Sequence, residues 1–188
     1  MIEAGFRPWI GPQYARPDNI FKRRILVLGE SHYGPYGTEH PDDTINTVQL
    51  FTQGGARHAF FTKIAKVLLG LNETHWLSNK DLKEAFDNIA FYNYIPQFAG
   101  EQARQRPTPA MWDASREPFS KTLELLQPHL VIILGKALNH HVPELPEGIH
   151  RCFIQHPSTG FSYAQWGSQV AQAIRQAHYT TGAEYPHG

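Results

Sequence analysis

The stretch RRILVLGESHYGPYG, Arg23 to Gly37, decides how this chain is read. Ile25, Leu26, Val27 and Leu28 form an apolar block with no polar alternation. That is the pattern of a strand covered on both faces in a mostly parallel sheet. Gly29, Glu30, Ser31, His32 and Tyr33 follow at once, bringing a carboxylate, a hydroxyl and an imidazole to the end of the strand. In open α/β sheets ligands sit beyond the carboxyl ends of the strands, so the position points to a site rather than to a structural turn.

Working outward from this strand, HAFFTKIAKVLLGL places Phe60, Phe61, Ile64, Val67, Leu68 and Leu71 at helical spacing, with Gly70 as a stop signal. NIAFYNYIP, Asn88 to Pro96, reads as a second strand, and QFAGEQARQRPTPAMW as a long aperiodic loop. Phe119, Leu123 and Leu126 mark a helix, LVIILG a third strand, KALNHHV a short helix and HRCFIQ a fourth strand ending in HPSTG. A last amphipathic helix carries Trp166, Val170, Ile174 and Ala177 on one face. The alternation predicts an α/β fold: a three-layer α/β/α sandwich around a mostly parallel four-stranded sheet, formed as a single domain over residues 1–188. Glu30, Asn93, Gly135 with Lys136, and His156 with Ser158 then fall at the ends of successive strands, on one edge of the sheet.

Composition narrows the function classes. Seventeen basic and seventeen acidic side chains give a formal net charge of zero, so a polyanion partner must be held by a local patch rather than by a global field. The single cysteine excludes an internal disulfide and any cysteine-rich cluster, and suits a reducing compartment. The first residues, MIEAGFRPWIGPQY, lack a secretion signal or a spanning segment, so the expectation is a cytoplasmic, non-membrane protein. The adjacent His140 and His141 are not metal spacing, and no metal is expected.

Four short motifs in order, LGES, FYNYIPQFAGEQARQRPTPAMW, LQPHLVIILGKAL and QHPSTG, resemble those of the uracil-DNA glycosylase superfamily over most of the chain. The resemblance implies that fold and a monofunctional hydrolase that excises a flipped uracil or modified base from DNA in base-excision repair. It would act as a monomer, without a cofactor. Glu30 matches the residue that handles water and stabilises positive charge on the sugar, Asn93 the amide that reads the base edge, and His156 the imidazole that hydrogen-bonds the departing base. Ser158, Phe161 and Tyr163 match the loop that pinches phosphates and wedges into the stack. Arg104 and Arg106 are the phosphate-contact candidates in the long loop.

Other residues keep two readings. His32 is a second acid/base group or a packed imidazole, and Phe51 a stacking partner for the base or a core aromatic. With His32, Tyr33 stands where well-known branches have Pro, and helps decide which base is admitted. The iron–sulfur branch needs four cysteines, three more than this chain has, so no cluster forms here. Two rival functions remain open: a serine esterase with Ser31 as nucleophile and His156 as base, and a non-catalytic nucleic-acid- or nucleotide-binding derivative.

Overall fold

The structure, a computed structural model, describes residues 5–53, 55–102 and 105–177. Five strands, β1 (Trp9–Ile10), β2 (Ile25–Gly29), β3 (Ala90–Asn93), β4 (Leu130–Leu134) and β5 (His150–Ile154), form one sheet in the order β1-β3-β2-β4-β5. The four longer strands are parallel, and β1 pairs antiparallel with β3 through Trp9 opposite Phe91 and Ile10 opposite Ala90. The expected four strands are therefore five. β1 escapes a periodicity reading because it has only two residues, between Pro8 and the Gly11–Pro12 turn.

Among the described residues seven helices cover the sheet: α1 (Asp43–Thr52), α2 (Ala59–Leu68), α3 (Asn79–Asp87), α4 (Pro109–Ala114), α5 (Arg116–Leu126), α6 (Lys136–His141) and α7 (Tyr163–Gln176). The period-2 alternation of the strands divides the core. Ile25, Val27, Leu130 and Ile132 face Val48, Phe61, Ile64, Leu82 and Val170 of α1, α2, α3 and α7. Leu26, Leu28, Val131 and Ile133 face Trp112, Phe119, Leu123 and Leu138 of α4, α5 and α6. Strands buried on both sides explain the apolar runs at 25–28 and 130–134, and each residue of β2 and β4 is buried.

Three helices were not anticipated, for different reasons. In α1 the residues turned inward are Thr44, Val48 and Thr52, so two of three core positions carry polar side chains and the apolar stripe is hidden. The start of α3 is marked by a capping box, in which Ser78 Oγ accepts from the Asp81 N–H at 3.1 Å and the Asp81 carboxylate accepts from the Ser78 N–H at 3.0 Å. α4 begins inside the expected loop, with Thr108 as N-cap and Pro109 in the first turn.

The chain runs from β2 to β3 on one side and then crosses to β4 and β5 on the other. The switch point therefore lies between β2 and β4, where an open parallel sheet leaves a crevice at its carboxyl edge.

Candidate functional site

Glu30 follows the last residue of β2, and the loop it begins continues the ladder beside the β3 loop. The amides of Tyr94, Ile95 and Ala99 donate to the carbonyls of Gly29, Glu30 and His32 at 2.9, 3.0 and 3.0 Å. Asn93, 5% exposed, closes β3 in register with Gly29. Gly29 leaves room for this side chain, because a Cβ there would stand 2.2 Å from Asn93 Oδ1 and force it to move. The Asn93 amide forms no hydrogen bond to a described residue.

The Glu30 side chain is 11% exposed, and its Oε1 meets Nη1 of Arg106 at 3.2 Å, whereas the Arg106 side chain is 62% exposed. Burial pushes the Glu30 carboxyl above its ordinary value, and the guanidinium charge partly opposes that. Arg106, expected on a phosphate, is thus placed on the candidate catalytic carboxylate. One Nη of its fork is committed, and most of the group faces solvent. Arg104 lies outside the described residues.

His156 leaves the end of β5 at the same edge. The Ser158 N–H donates to its Nδ1 at 3.1 Å, so the neutral ring carries its proton on Nε2 and presents a donor there. Burial lowers its basicity, and the charges of Arg106 and Lys63 disfavour protonation further. Phe60 packs against the ring at 5.4 Å between centroids, and Lys63 Nζ donates to the Pro157 carbonyl at 2.7 Å. Gly135, at φ +106°, lets the end of β4 pass close by, since a Cβ there would be 3.3 Å from His156 Cβ. Phe60 and Lys63 were read only as part of an amphipathic helix. No local signal marks them, because their link to His156 is made by folding.

The remaining candidates separate. His32 is packed edge-on against Phe6 at 5.3 Å, its Nε2 is 2.9 Å from Thr44 Oγ1, and burial lowers its pKa to about 4. It is a neutral imidazole that ties the β2 loop to α1. Phe51 stacks on Phe61 at 5.4 Å and tilts against His58 at 5.0 Å, which places it in the helix-side packing. Phe161 and Tyr163 meet each other at 5.5 Å and lie under Lys63 and Lys66 of α2, so both are docked on the body. Ser158 is exposed at the tip of its loop, and Tyr33 is 38% exposed on the loop after β2. His141 stacks on Trp112 at 4.0 Å, and no group of three or more potential metal ligands occurs among the described residues.

The esterase reading finds no support in this geometry. Ser31 Oγ is buried without a hydrogen-bond partner, so no imidazole activates it. Two surface clefts, of about 380 and 310 Å³, flank α3 and include none of Glu30, Asn93, Arg106 or His156. No helix among the described residues is long and apolar enough to cross a membrane. No protein-family model matches the chain, and comparison with curated proteins finds no match.

Proposed function

We propose that this chain is a DNA glycosylase-like hydrolase that cleaves the N-glycosidic bond of a flipped uracil or modified base, with Glu30, Asn93 and His156 as the working groups. The observation that carries the reading is the pairing, on one sheet edge, of a buried carboxylate with a neutral imidazole whose Nε2–H is free to donate. Breaking an N-glycosidic bond develops positive charge on the sugar and negative charge on the base. A carboxylate and a donor placed across that bond both bind best in the transition state. The four-motif resemblance points the same way.

Neighbouring strands are about 4.8 Å apart, so β2 and β5, separated by β4, set Glu30 and His156 roughly 10 Å apart at the backbone. In this reading Glu30 holds the attacking water and faces the oxocarbenium-like sugar. Asn93, whose amide has both its donor and its acceptor uncommitted among the described residues, pairs with the base edge. His156 donates through Nε2 to the oxygen that gains charge as the base leaves. A neutral donor suits this step, since its proton is shared with the anion without first having to be lost. Arg106 keeps the carboxylate ionised against its burial and offers its outer N–H groups to a phosphate of the bound strand.

The test is incubation with single-stranded and duplex oligonucleotides bearing a panel of altered bases, followed by alkaline cleavage at abasic sites. Base release lost in Glu30→Gln and His156→Ala supports the assignment. No release from any substrate removes it and leaves a nucleic-acid-binding derivative of the fold.

A further inference from the structure

Among the four tryptophans, Trp9, Trp112 and Trp166 are 6, 7 and 8% exposed, whereas Trp76 is 78% exposed. Its loop is nevertheless firmly held. Lys66, buried on α2, donates to the Glu73 carbonyl at 2.8 Å, and the His75 N–H donates to Asn72 Oδ1 at 3.0 Å. Arg57 Nη2 donates to the Leu77 carbonyl at 2.6 Å and to Asn79 Oδ1 at 2.8 Å. That anchored guanidinium lies 4.9 Å from the centre of the Trp76 ring. A large apolar ring is thus pinned in water, backed by a fixed cation, where burial would have been favoured by a few kcal/mol, about 1.5–3 for a large apolar side chain.

The pair belongs to the edge that carries the site. α3 feeds β3 after two residues, so its amino end, with Leu77 and Asn79, lies toward the carboxyl edge of the sheet. Arg57 is three residues before Phe60, which touches His156, and consecutive Cα atoms are about 3.8 Å apart, so Arg57 lies within about 11 Å of Phe60. Among the described residues, the exposed large aromatics Tyr33, Tyr36 and Trp76 occur on connections between β2 and β3. Lys80, exposed on α3, follows Asn79, the residue that holds Arg57. Rigid aromatic faces interleaved with cations are what unpaired nucleic acid strands bind, because every base offers a π-face and every link a phosphate.

We propose that the Arg57–Trp76 pair is a stacking platform for an unpaired base of single-stranded DNA, one or more nucleotides away from the base held at Glu30 and Asn93. The inference rests on the reading of the cleft as a DNA site. It makes a strand already open the preferred substrate: the outer face of the indole takes a base, while Arg57 on the inner side holds the ring in place.

All four tryptophans emit, so the part of the intrinsic fluorescence that comes from Trp76 is identified by its loss in Trp76→Phe. Titration of the full chain with short oligothymidylate, which carries no excisable base, is expected to quench that fluorescence. Trp76→Ala is expected to weaken binding roughly tenfold without changing its salt slope, while Trp76→Phe restores most of the affinity. An unquenched titration, or a Trp76→Ala protein that binds as tightly as the parent, overturns the platform. Base release by the parent chain is measured in parallel. Quenching with no release from any substrate keeps the platform and removes the glycosylase reading. Release without quenching does the reverse.

Discussion

The two ends of the sheet bury similar amides and treat them oppositely. At the amino edge Asn19, 1% exposed, donates through Nδ2 to the carbonyls of Gln13, Tyr14 and Asn88, and its Oδ1 accepts from the Phe21 N–H. Asn88, 3% exposed, accepts from the Ile20 N–H and donates to the Glu84 carbonyl. At the carboxyl edge Asn93 is almost as deeply buried and has no such partner among the described residues, and the neighbouring Ser31 hydroxyl is likewise unpaired. A buried hydroxyl without a partner costs about 1–3 kcal/mol, a cost that Ser31 carries at the carboxyl edge and that the Asn19 and Asn88 amides avoid at the amino edge. The difference teaches where to look for a ligand. At one end Asn19 and Asn88 tie the segment before β2 to β3, and at the other Asn93 and Ser31 have no partner among the described residues.

The most severe test of that contrast is Glu30→Gln. It is expected to lower base release by about 10²- to 10³-fold while leaving thermal stability and oligonucleotide affinity unchanged, measured by single-turnover cleavage and thermal unfolding. Equal activity in the variant would reduce Glu30 to an ordinary ion-pair partner of Arg106.

Next in size is a paired experiment on the two amides. Asn19→Ala strands three carbonyls and an amide, and is expected to cost about 2–3 kcal/mol in urea unfolding with base release per folded molecule unchanged. Asn93→Ala is expected to cost less than about 1 kcal/mol and to lower base release roughly 100-fold. If the stability costs come out reversed, the contrast between the edges is wrong.

Acid separates the edges in another way. His32 near the site and His129 at the amino edge are both held neutral by burial, with pKa values lowered to about 4 from the ordinary 6.5. His129 Nδ1 accepts from the Arg24 N–H at 3.0 Å, which protonation would break. Below pH 6.5 the unfolded chain takes up protons that the folded chain refuses, so stability is full above 6.5 and falls as the pH drops toward about 4. Urea midpoints measured across that window should show the decline, and His129→Gln should flatten it. A midpoint independent of pH would mean that neither imidazole is excluded from protonation.

The smallest expected effect is a displacement of the pH profile. If the proposed reaction holds, base release needs ionised Glu30 and is lost as pH falls through its pKa, which burial raises and Arg106 holds down. Arg106→Gln removes the restraint, so the acidic limb of base release should move to higher pH, with the plateau less affected. An unmoved limb would assign the limb to another group, and Arg106 to phosphate alone.

How much of this could be read from the chain depends on how local each cause is. The runs at Ile25–Leu28 and Leu130–Leu134 announce doubly covered strands because burial on both faces leaves no room for polar residues. The end of β2 was visible for the same reason, as a break in character at Glu30. Helix α3 was also written locally, in the Ser78–Asp81 capping box, whereas α1 was masked by its inward-facing threonines. The two-residue β1 exists only because β3 offers it an edge.

By itself, then, the sequence determined the α/β alternation, the strand ends and the identity of the polar groups placed there, since these follow from apolar periodicity and from chain direction. Tertiary structure decided which of those groups act together. It set Arg106 on Glu30, turned His156 into an Nε2–H donor through the Ser158 amide, and shut His32 into the contact between Phe6 and Thr44. It also lodged Phe161 and Tyr163 under the lysines of α2 and left Trp76 on the surface over Arg57. These are contacts between segments distant in the chain, and solvation, charge state and hydrogen-bond partner are set by whatever folding brings alongside, which no local spacing encodes.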